Sequence, residues 1–288
     1  MIKQWTNYHQ HCYFCDGTDA PEVYVTAALE QNVGSFGFSI HAPMPFPVPW
    51  CVKPHHYDSY FQTISEIKQQ YADQLPIFVG MEVDYIPNII SPTDEQFRRL
   101  DYRIGSVHLV DVGRAAENVF WEIDGPSKIY DQGIQDYWNG DVQSAVTAYY
   151  EATRQMLQYH TPDVLGHCDK VKMNNKNRHF SESDAWYRQQ VSTMLEVARQ
   201  SRVIIEVNTR GLYKKKIDSV YPSTWVLELI HDLQIPICLN SDAHRPTEIT
   251  QAFAQTAELL QTLGFRELYI LTEQGWQARP FSAKGIIL

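Results

Sequence analysis

Six of the eleven histidines (His9, His11, His41, His108, His167 and His244) sit at or just after the ends of short β-branched or apolar runs. Three acids, Glu82, Glu206 and Asp242, occupy equivalent places, and Asn208 lies beside one of them. Residues i and i+2 of an extended chain point to the same side. His9-Gln10-His11 and Asp242-Ala243-His244 therefore each aim two side chains at one place. Imidazoles and carboxylates without an accompanying thiolate suit Zn²⁺, Mn²⁺ or Fe²⁺. Taken singly, any of these histidines is equally well explained as a hydrogen-bonded core or surface residue. Coincidence does not explain independent runs that all end in the same ligand types. The other five histidines, His55, His56, His160, His179 and His231, fall in or beside helical stretches or in a polar loop and read as structural or solvated.

Positioning such a set requires that the runs end side by side. Candidate strands lie at 4–9, 35–41, 77–83, 103–108, 164–167, 203–208 and 237–241, with a further short run at 268–271. Amphipathic stretches at 21–31, 57–71, 141–159, 183–199, 223–233 and 247–263 separate them and read as helices. Strands alternating with helices imply parallel strands joined by right-handed crossovers. About seven such units close more naturally into a barrel than into an open sheet, and all strand C-termini then gather at one mouth. The expectation is an α/β protein, a distorted seven-stranded, TIM-like barrel. It forms one domain over 1–288, with an aromatic, turn-rich insertion on the loop side at 119–140.

Composition agrees. The 288 residues are 44% hydrophobic and 20% charged, the profile of a soluble globular protein. No run approaches the roughly 18 apolar residues of a membrane span. The N-terminal residues lack the apolar core of a signal peptide, so a cytoplasmic location and no membrane partner are expected. A net charge of −10 argues against a nucleic-acid surface, and the one dense basic run, Lys214-Lys215-Lys216, reads as a solvated loop. Five cysteines, an odd count, fit a reducing compartment. Cys12-Tyr13-Phe14-Cys15 has the spacing of a zinc knuckle or redox pair. It lacks a second cysteine pair for the first and a strand-to-helix setting for the second, so it reads as neither.

The chain resembles the polymerase-and-histidinol-phosphatase superfamily, and within it the histidinol-phosphatase branch, over essentially its whole length. The motifs that carry the resemblance are Tyr8-His9-Gln10-His11 with Asp16-Gly17, Ser39-Ile40-His41-Ala42-Pro43, Gly80-Met81-Glu82-Val83-Asp84-Tyr85, Gly105-Ser106-Val107-His108 and Leu165-Gly166-His167-Cys168-Asp169. Glu206-Val207-Asn208-Thr209-Arg210-Gly211-Leu212, Tyr221-Pro222-Ser223 and Asn240-Ser241-Asp242-Ala243-His244 complete the set. The His-Ala-Pro triplet, Trp121-Glu122-Ile123-Asp124-Gly125 and the Asn-Thr-x-Gly-Leu stretch mark the narrower branch. The resemblance implies a distorted seven-stranded barrel with three divalent ions, Zn, Mn or Fe. One ion falls to His9, His11, Glu82 and Asp242. A second falls to Glu82, His108 and His167, with Glu82 bridging, and a third to Asp16, His41 and His244. Many members carry His where this chain has Asp16, and a small residue is common where it has Arg210.

The implied reaction is hydrolysis of L-histidinol phosphate to L-histidinol and phosphate, a step of histidine biosynthesis, with Glu82, Asp242 and His244 as catalytic residues. Divalent ions make a nucleophile of water near neutral pH and neutralise charge on the phosphoryl oxygens. Three of them would outweigh the charge of Asp16, Glu82 and Asp242, so a net acidic chain still suits a small phosphorylated substrate. Arg210 and Lys172 are candidates for phosphate contacts, and Asp169 for orienting His167 or the leaving group. Asp84, Tyr85, Asp19, Phe46 and Trp121 are candidates for the amino and imidazole groups. Other readings stay open: a phosphatase of the same superfamily acting on nucleotides or sugar phosphates, an amidohydrolase, or a metal-binding scaffold serving a polymerase. The amidohydrolase reading lacks the bridging lysine that class commonly needs, and the scaffold reading lacks a polymerase segment. The oligomeric state is left open.

Overall fold

Alternate residues of a strand face opposite sides of the sheet, and in a closed sheet those sides are inside and outside. The computed structural model describes residues 5–287. It begins with β1 (Trp5–Asn7), α1 (Pro21–Glu30), β2 (Val33–Phe38), α2 (Tyr57–Gln70), β3 (Ile77–Asp84) and β4 (Tyr102–Ser106). A hairpin of β5 (Leu109–Arg114) and β6 (Val119–Glu122) follows, then α3 (Ser127–Trp138) and α4 (Val142–Tyr159). Next come β7 (Val164–Leu165), α5 (Ala185–Ser201), β8 (Ile204–Asn208), α6 (Arg210–Tyr213), α7 (Thr224–Asp232) and β9 (Ile237–Asn240). The chain ends with α8 (Phe253–Thr262), β10 (Glu267–Thr272), β11 (Gly275–Ser282) and β12 (Gly285–Ile286). Seven strands form one parallel sheet in the order β1-β2-β3-β4-β7-β8-β9. Beyond β1 and β9 the edges meet, where Gln10 bridges Ala243 and the His11 N–H donates to the Ala243 carbonyl at 2.8 Å. The architecture is the α/β, TIM-like barrel that the alternation of runs predicts.

The outward set of β3 (Ile77, Val79, Met81 and Val83) packs with Tyr24 and Val25 of α1 and Tyr60 and Ile64 of α2. The inward set runs Phe78, Gly80, Glu82, Asp84, from apolar to acidic. Other strands repeat this gradient: Tyr102, Ile104, Ser106 on β4, Ile204, Glu206, Asn208 on β8, and Cys238, Asn240 on β9. Phe78, Tyr102, Ile104, Val164, Ile204 and Cys238 form an apolar cluster with Tyr8 and Leu271. The carboxylates and imidazoles lie farther along the same strands. β10 covers the apolar end: the Leu271 N–H donates to Tyr8 Oη at 2.8 Å, and Ser35 Oγ donates to the Leu271 carbonyl at 3.0 Å.

Several local expectations need correction. The 119–140 region is ordered as β6 and α3 rather than as turns, and Trp121 is fully buried against Tyr130 and Trp138. The stretch at 247–263 opens on a 3₁₀ turn at Pro246–Glu248 and becomes α-helical only from Phe253, with Ala252 at a left-handed φ of 64° just before it. The further run at 268–271, set apart from the seven barrel strands, is the strand β10 and pairs antiparallel with β11. Of the strand expected at 4–9, Gln4 lies outside the described residues and the rest pairs only over Trp5–Asn7. Among the described residues no helix is long and apolar enough to cross a membrane.

The Tyr102 ring fills the barrel interior above two glycines. A Cβ at Gly80 would lie 2.4 Å from that ring and one at Gly37 2.5 Å from its hydroxyl. Gly80→Ala should therefore destabilise the fold by roughly 1–3 kcal/mol through overpacking, read as a lower midpoint in denaturant. A change below about 0.5 kcal/mol would mean the ring does not hold that position.

Candidate metal centre

The polar ends of the inward sets converge on Glu82, which is 1% exposed. Its Oε2 lies 3.2 Å from His9 Nε2, 3.6 Å from His11 Nε2 and 3.1 Å from His41 Nδ1. Its Oε1 lies 2.9 Å from His167 Nε2 and 3.5 Å from His108 Nε2, and accepts from Ser106 Oγ at 2.7 Å. Asp242 Oδ1 is 3.3 Å from His11 Nε2 and 3.9 Å from His9 Nε2. Asp16 stands at the outer edge, with Oδ2 3.1 Å from His244 Nε2 and Oδ1 3.9 Å from His41 Nε2. Four overlapping groups have the spacing to hold an ion: His11, Asp16, His41, His244; His9, His11, Glu82; His41, Glu82, His108; and His9, His167, Asp242. Compared with the sets implied by the resemblance, His11 also reaches the Asp16 group and His41 also reaches Glu82.

A fixed set of partners turns these rings. His9 Nδ1 is 2.6 Å from Glu206 Oε1 and His108 Nδ1 is 2.8 Å from Asp84 Oδ1. A carboxylate accepts here, so each Nδ1 carries a proton and each ring turns its Nε2 edge inward. Glu206 also accepts from the His167 N–H at 2.9 Å and from the side-chain amides of Asn208 and Asn240, each at 3.0 Å. His9 Nε2, His11 Nε2 and His41 Nδ1 are buried with no hydrogen-bond partner among the described residues. Buried nitrogens without partners are costly in a dry core and ordinary at a metal site. Asp242 itself has a left-handed φ of 52°, a conformation aspartate tolerates better than most residues.

Electrostatics follow the same geometry. Burial works against charge on Glu82, yet His9, His41 and His108 hold its carboxyl well below the usual range. Burial likewise opposes charge on Asp242, which His9 and Arg210 hold low. His108 is pushed up to about 9 against burial, chiefly by Asp84 and Asp124. Burial pushes His11 and His41 down to about 4, which keeps both rings neutral and their lone pairs free at neutral pH.

The centre floors a cleft of about 840 Å³ lined by Asp16, His41, His108, Asp242 and His244 and, farther out, by Trp50, Glu122, Asp124, Lys170, Met173, Arg210, Lys216 and Tyr221. Of the four substrate-contact candidates, the cleft lining includes only Arg210. Its Nη1 donates to the Asp242 carbonyl at 2.6 Å, so it also braces a ligand-bearing turn. Lys172 is buried behind the wall, 2.6 Å from Asp169 Oδ2 and bonded to Ser223 Oγ. Asp169 is spent on that pair and on the Ser223 N–H rather than on His167. Asp84 lies behind His108, accepting from its N–H and Nδ1. Tyr85 is 5% exposed and packs against His160. Phe46 stacks on Phe120, and neither it, Asp19 nor Trp121 lines the cleft. The sequence reading missed Lys170, whose Nζ is 2.9 Å from Asp124 Oδ2 and 3.5 Å from His108 Nε2. Its spacing of three residues from His167 was the available signal.

Glu206 makes no inward contact of its own, so its contribution can be isolated. Glu206→Gln keeps the shape but removes the charge behind His9, and should weaken divalent-ion affinity by roughly 10–100-fold. Competition with a fluorescent chelator measures this. Unchanged affinity would show that the carboxylate does not orient the ring.

Comparison with known proteins places this geometry. The chain is 27% identical to the histidinol-phosphatase of Bacillus subtilis over 264 residues, covering 85% of this chain and 95% of that protein. A crystal structure of a Listeria monocytogenes protein assigned as a histidinol phosphatase superposes with a TM-score of 0.74 at 24% identity, over 87% of this chain and 99% of that one. The histidinol phosphate phosphatase of Lactococcus lactis, complexed with zinc, L-histidinol and phosphate, superposes with a TM-score of 0.64 at 21% identity over 99% of both chains. At these identities the superpositions establish the fold. The sequence pattern of the PHP domain matches residues 7–210, from the strand that leads into His9 to Arg210 at the start of α6, and the chain therefore belongs to the PHP domain family.

Proposed function

We propose that this chain is a metal-dependent phosphomonoesterase that hydrolyses L-histidinol phosphate to L-histidinol and phosphate in histidine biosynthesis. One observation carries the reading: three buried imidazole nitrogens with no hydrogen-bond partner among the described residues point into a carboxylate-lined space at the floor of an open cleft. The names of the relatives narrow the substrate. His9, His11, Glu82 and Asp242 would hold one ion, Glu82, His108 and His167 a second, and Asp16, His41 and His244 a third, as Zn²⁺, Mn²⁺ or Fe²⁺. Divalent ions supply Lewis acidity toward water and toward phosphoryl oxygens. The chain's own residues do the rest. Arg210 reaches the phosphoryl group from the Asp242 side of the cleft. Glu122 and Asp124 offer carboxylates to the amino group of the substrate, and Trp50 and Tyr221 offer ring faces to its imidazole. We read residues 1–288 as one functional unit and place it in the cytoplasm, where its five free cysteines would stay reduced.

Phosphate release should be measured on histidinol phosphate against a panel of nucleotides and sugar phosphates, with metal content determined on the same sample. We expect histidinol phosphate to be preferred, a strong chelator to abolish turnover, and Mn²⁺, Zn²⁺ or Fe²⁺ to restore it. Full activity in metal-stripped protein would sink the metal reading, and preference for a nucleotide or sugar phosphate would reassign the substrate.

Arg210→Ala should lose a charged hydrogen bond of roughly 1.5–3 kcal/mol, or on the order of 10- to 150-fold in kcat/KM. Because Arg210 also braces Asp242, some metal should be lost with it. Arg210→Lys should recover only part of the loss, since an ammonium cannot grip two oxygens as a guanidinium does. Kinetics within about twofold of wild type for both variants would remove Arg210 from the phosphate site.

A further inference from the structure

Lys170 is 8% exposed and follows β7 in a single 3₁₀ turn, three residues after His167. Its ammonium is 2.9 Å from Asp124 Oδ2, on the segment between β6 and α3, and 3.5 Å from the inward nitrogen of His108. The Lys170 ammonium is nearly withdrawn from water while Asp124 stays about a fifth exposed; withdrawing an ammonium this far costs solvation, and apolar residues of similar size commonly serve stability as well or better. The pair therefore calls for a role beyond holding the fold, and its place suggests one. Both members line the cleft. The other cations near the mouth stand elsewhere: Arg210 beside Asp242, Lys216 exposed at the outer end, and Lys172 behind the wall against Asp169. Lys170 thus sits at the boundary between the inner space, where the imidazoles converge, and the outer cleft of Glu122, Met173 and Lys216.

A phosphomonoester that enters with its phosphoryl group against the imidazoles places its ester oxygen at that boundary. We infer that Lys170 is a catalytic residue whose ammonium group meets the ester oxygen and stabilises the negative charge that grows there as the P–O bond breaks. The inference rests on the phosphatase reading above. In this step a water oxygen forms a bond to phosphorus and the P–O(ester) bond breaks, its electron pair remaining on the ester oxygen. The water gives up a proton to solvent and the departing alkoxide takes one from solvent, so the products are the alcohol and phosphate. Lys170 keeps its protons throughout and acts by charge and hydrogen bonding. Asp124 holds the ammonium in place before the substrate arrives, which removes the cost of ordering it during the reaction.

The test exploits the leaving group. An alkoxide, nearly as basic as hydroxide, needs the ammonium. A 4-nitrophenoxide spreads its charge over its own ring and needs it far less. The metal-loaded full chain and its Lys170→Met variant are compared on L-histidinol phosphate and on 4-nitrophenyl phosphate. For the loss of one aimed donor we expect kcat/KM to fall by about 100- to 1000-fold on the alkyl ester and by less than about 10-fold on the aryl ester. Metal content and competitive inhibition by inorganic phosphate should be unchanged, and Lys170→Arg should recover part of the loss. If Lys170→Met strands Asp124 and fails to fold, Lys170→Gln, which removes the charge but keeps an N–H donor toward Asp124 and leaves that carboxylate in place, gives the same ratio. Equal losses on the two esters, or changes within about twofold on both, would overturn the inference while leaving the phosphatase reading intact. A wild-type protein that hydrolyses neither ester would overturn both.

Discussion

A carboxylate with both oxygens out of water must be surrounded by donors or cations, and Glu82 imposes that requirement on the whole mouth of the barrel. Five imidazoles and the Ser106 hydroxyl approach it, from β1, β2, β4 and β7 and the turns that follow them. Leaving such a group uncompensated costs several kcal/mol, a large fraction of a domain's net stability. The strand ends are therefore not free to spread apart. Glu206 repeats the arrangement one layer back, joining His9, the His167 backbone, Asn208 and Asn240. The barrel mouth is a stack of two buried carboxylates, each surrounded by the groups that the other helps to aim.

The same register that builds the core builds the centre. On β3 the inward positions run from Phe78 to Glu82, so the alternation that puts one ring into the apolar cluster puts one carboxylate among the imidazoles. A slip of one residue would expel both at once. Tyr102 occupies the room left by Gly37 and Gly80 and separates the dry half of the interior from the polar half. Lys170 and Asp124 extend the polar half outward, and they tie the segment after β6 to the His108 side of the cleft.

Much of this was legible because strand ends in a parallel barrel have nowhere else to point. His9, His41, His108 and His167 could be gathered from runs far apart in sequence for that reason alone. Legibility failed where the chain leaves the strands. Lys170 and Lys172 share one 3₁₀ turn, and two residues of such a turn diverge, so one faces the cleft and the other Asp169. Asp84 follows the strand rule but ends behind His108, a distinction of depth that residue spacing does not encode. Tyr85 has the right neighbours in sequence and faces the outer core. In the 119–140 region glycines and aromatics carry the same sequence signature as a turn-rich loop. Gly133 is instead the gap in α3 that admits the Trp121 ring.

The closure between β1 and β9 also sets a timetable. Asn7 donates to Ser241 across 234 positions of sequence, beside the turn that brings Asp242 and His244 to His9 and His11. At roughly 5–20 residues per second of synthesis, the first pair leaves the ribosome on the order of tens of seconds before its partners exist. During that interval His9 and His11 of a nascent chain have Asp16 and Glu82 but lack Asp242 and His244. The full set of side chains at this mouth therefore exists only after residue 244 has been made, so the centre is completed late in synthesis rather than as its first histidines emerge.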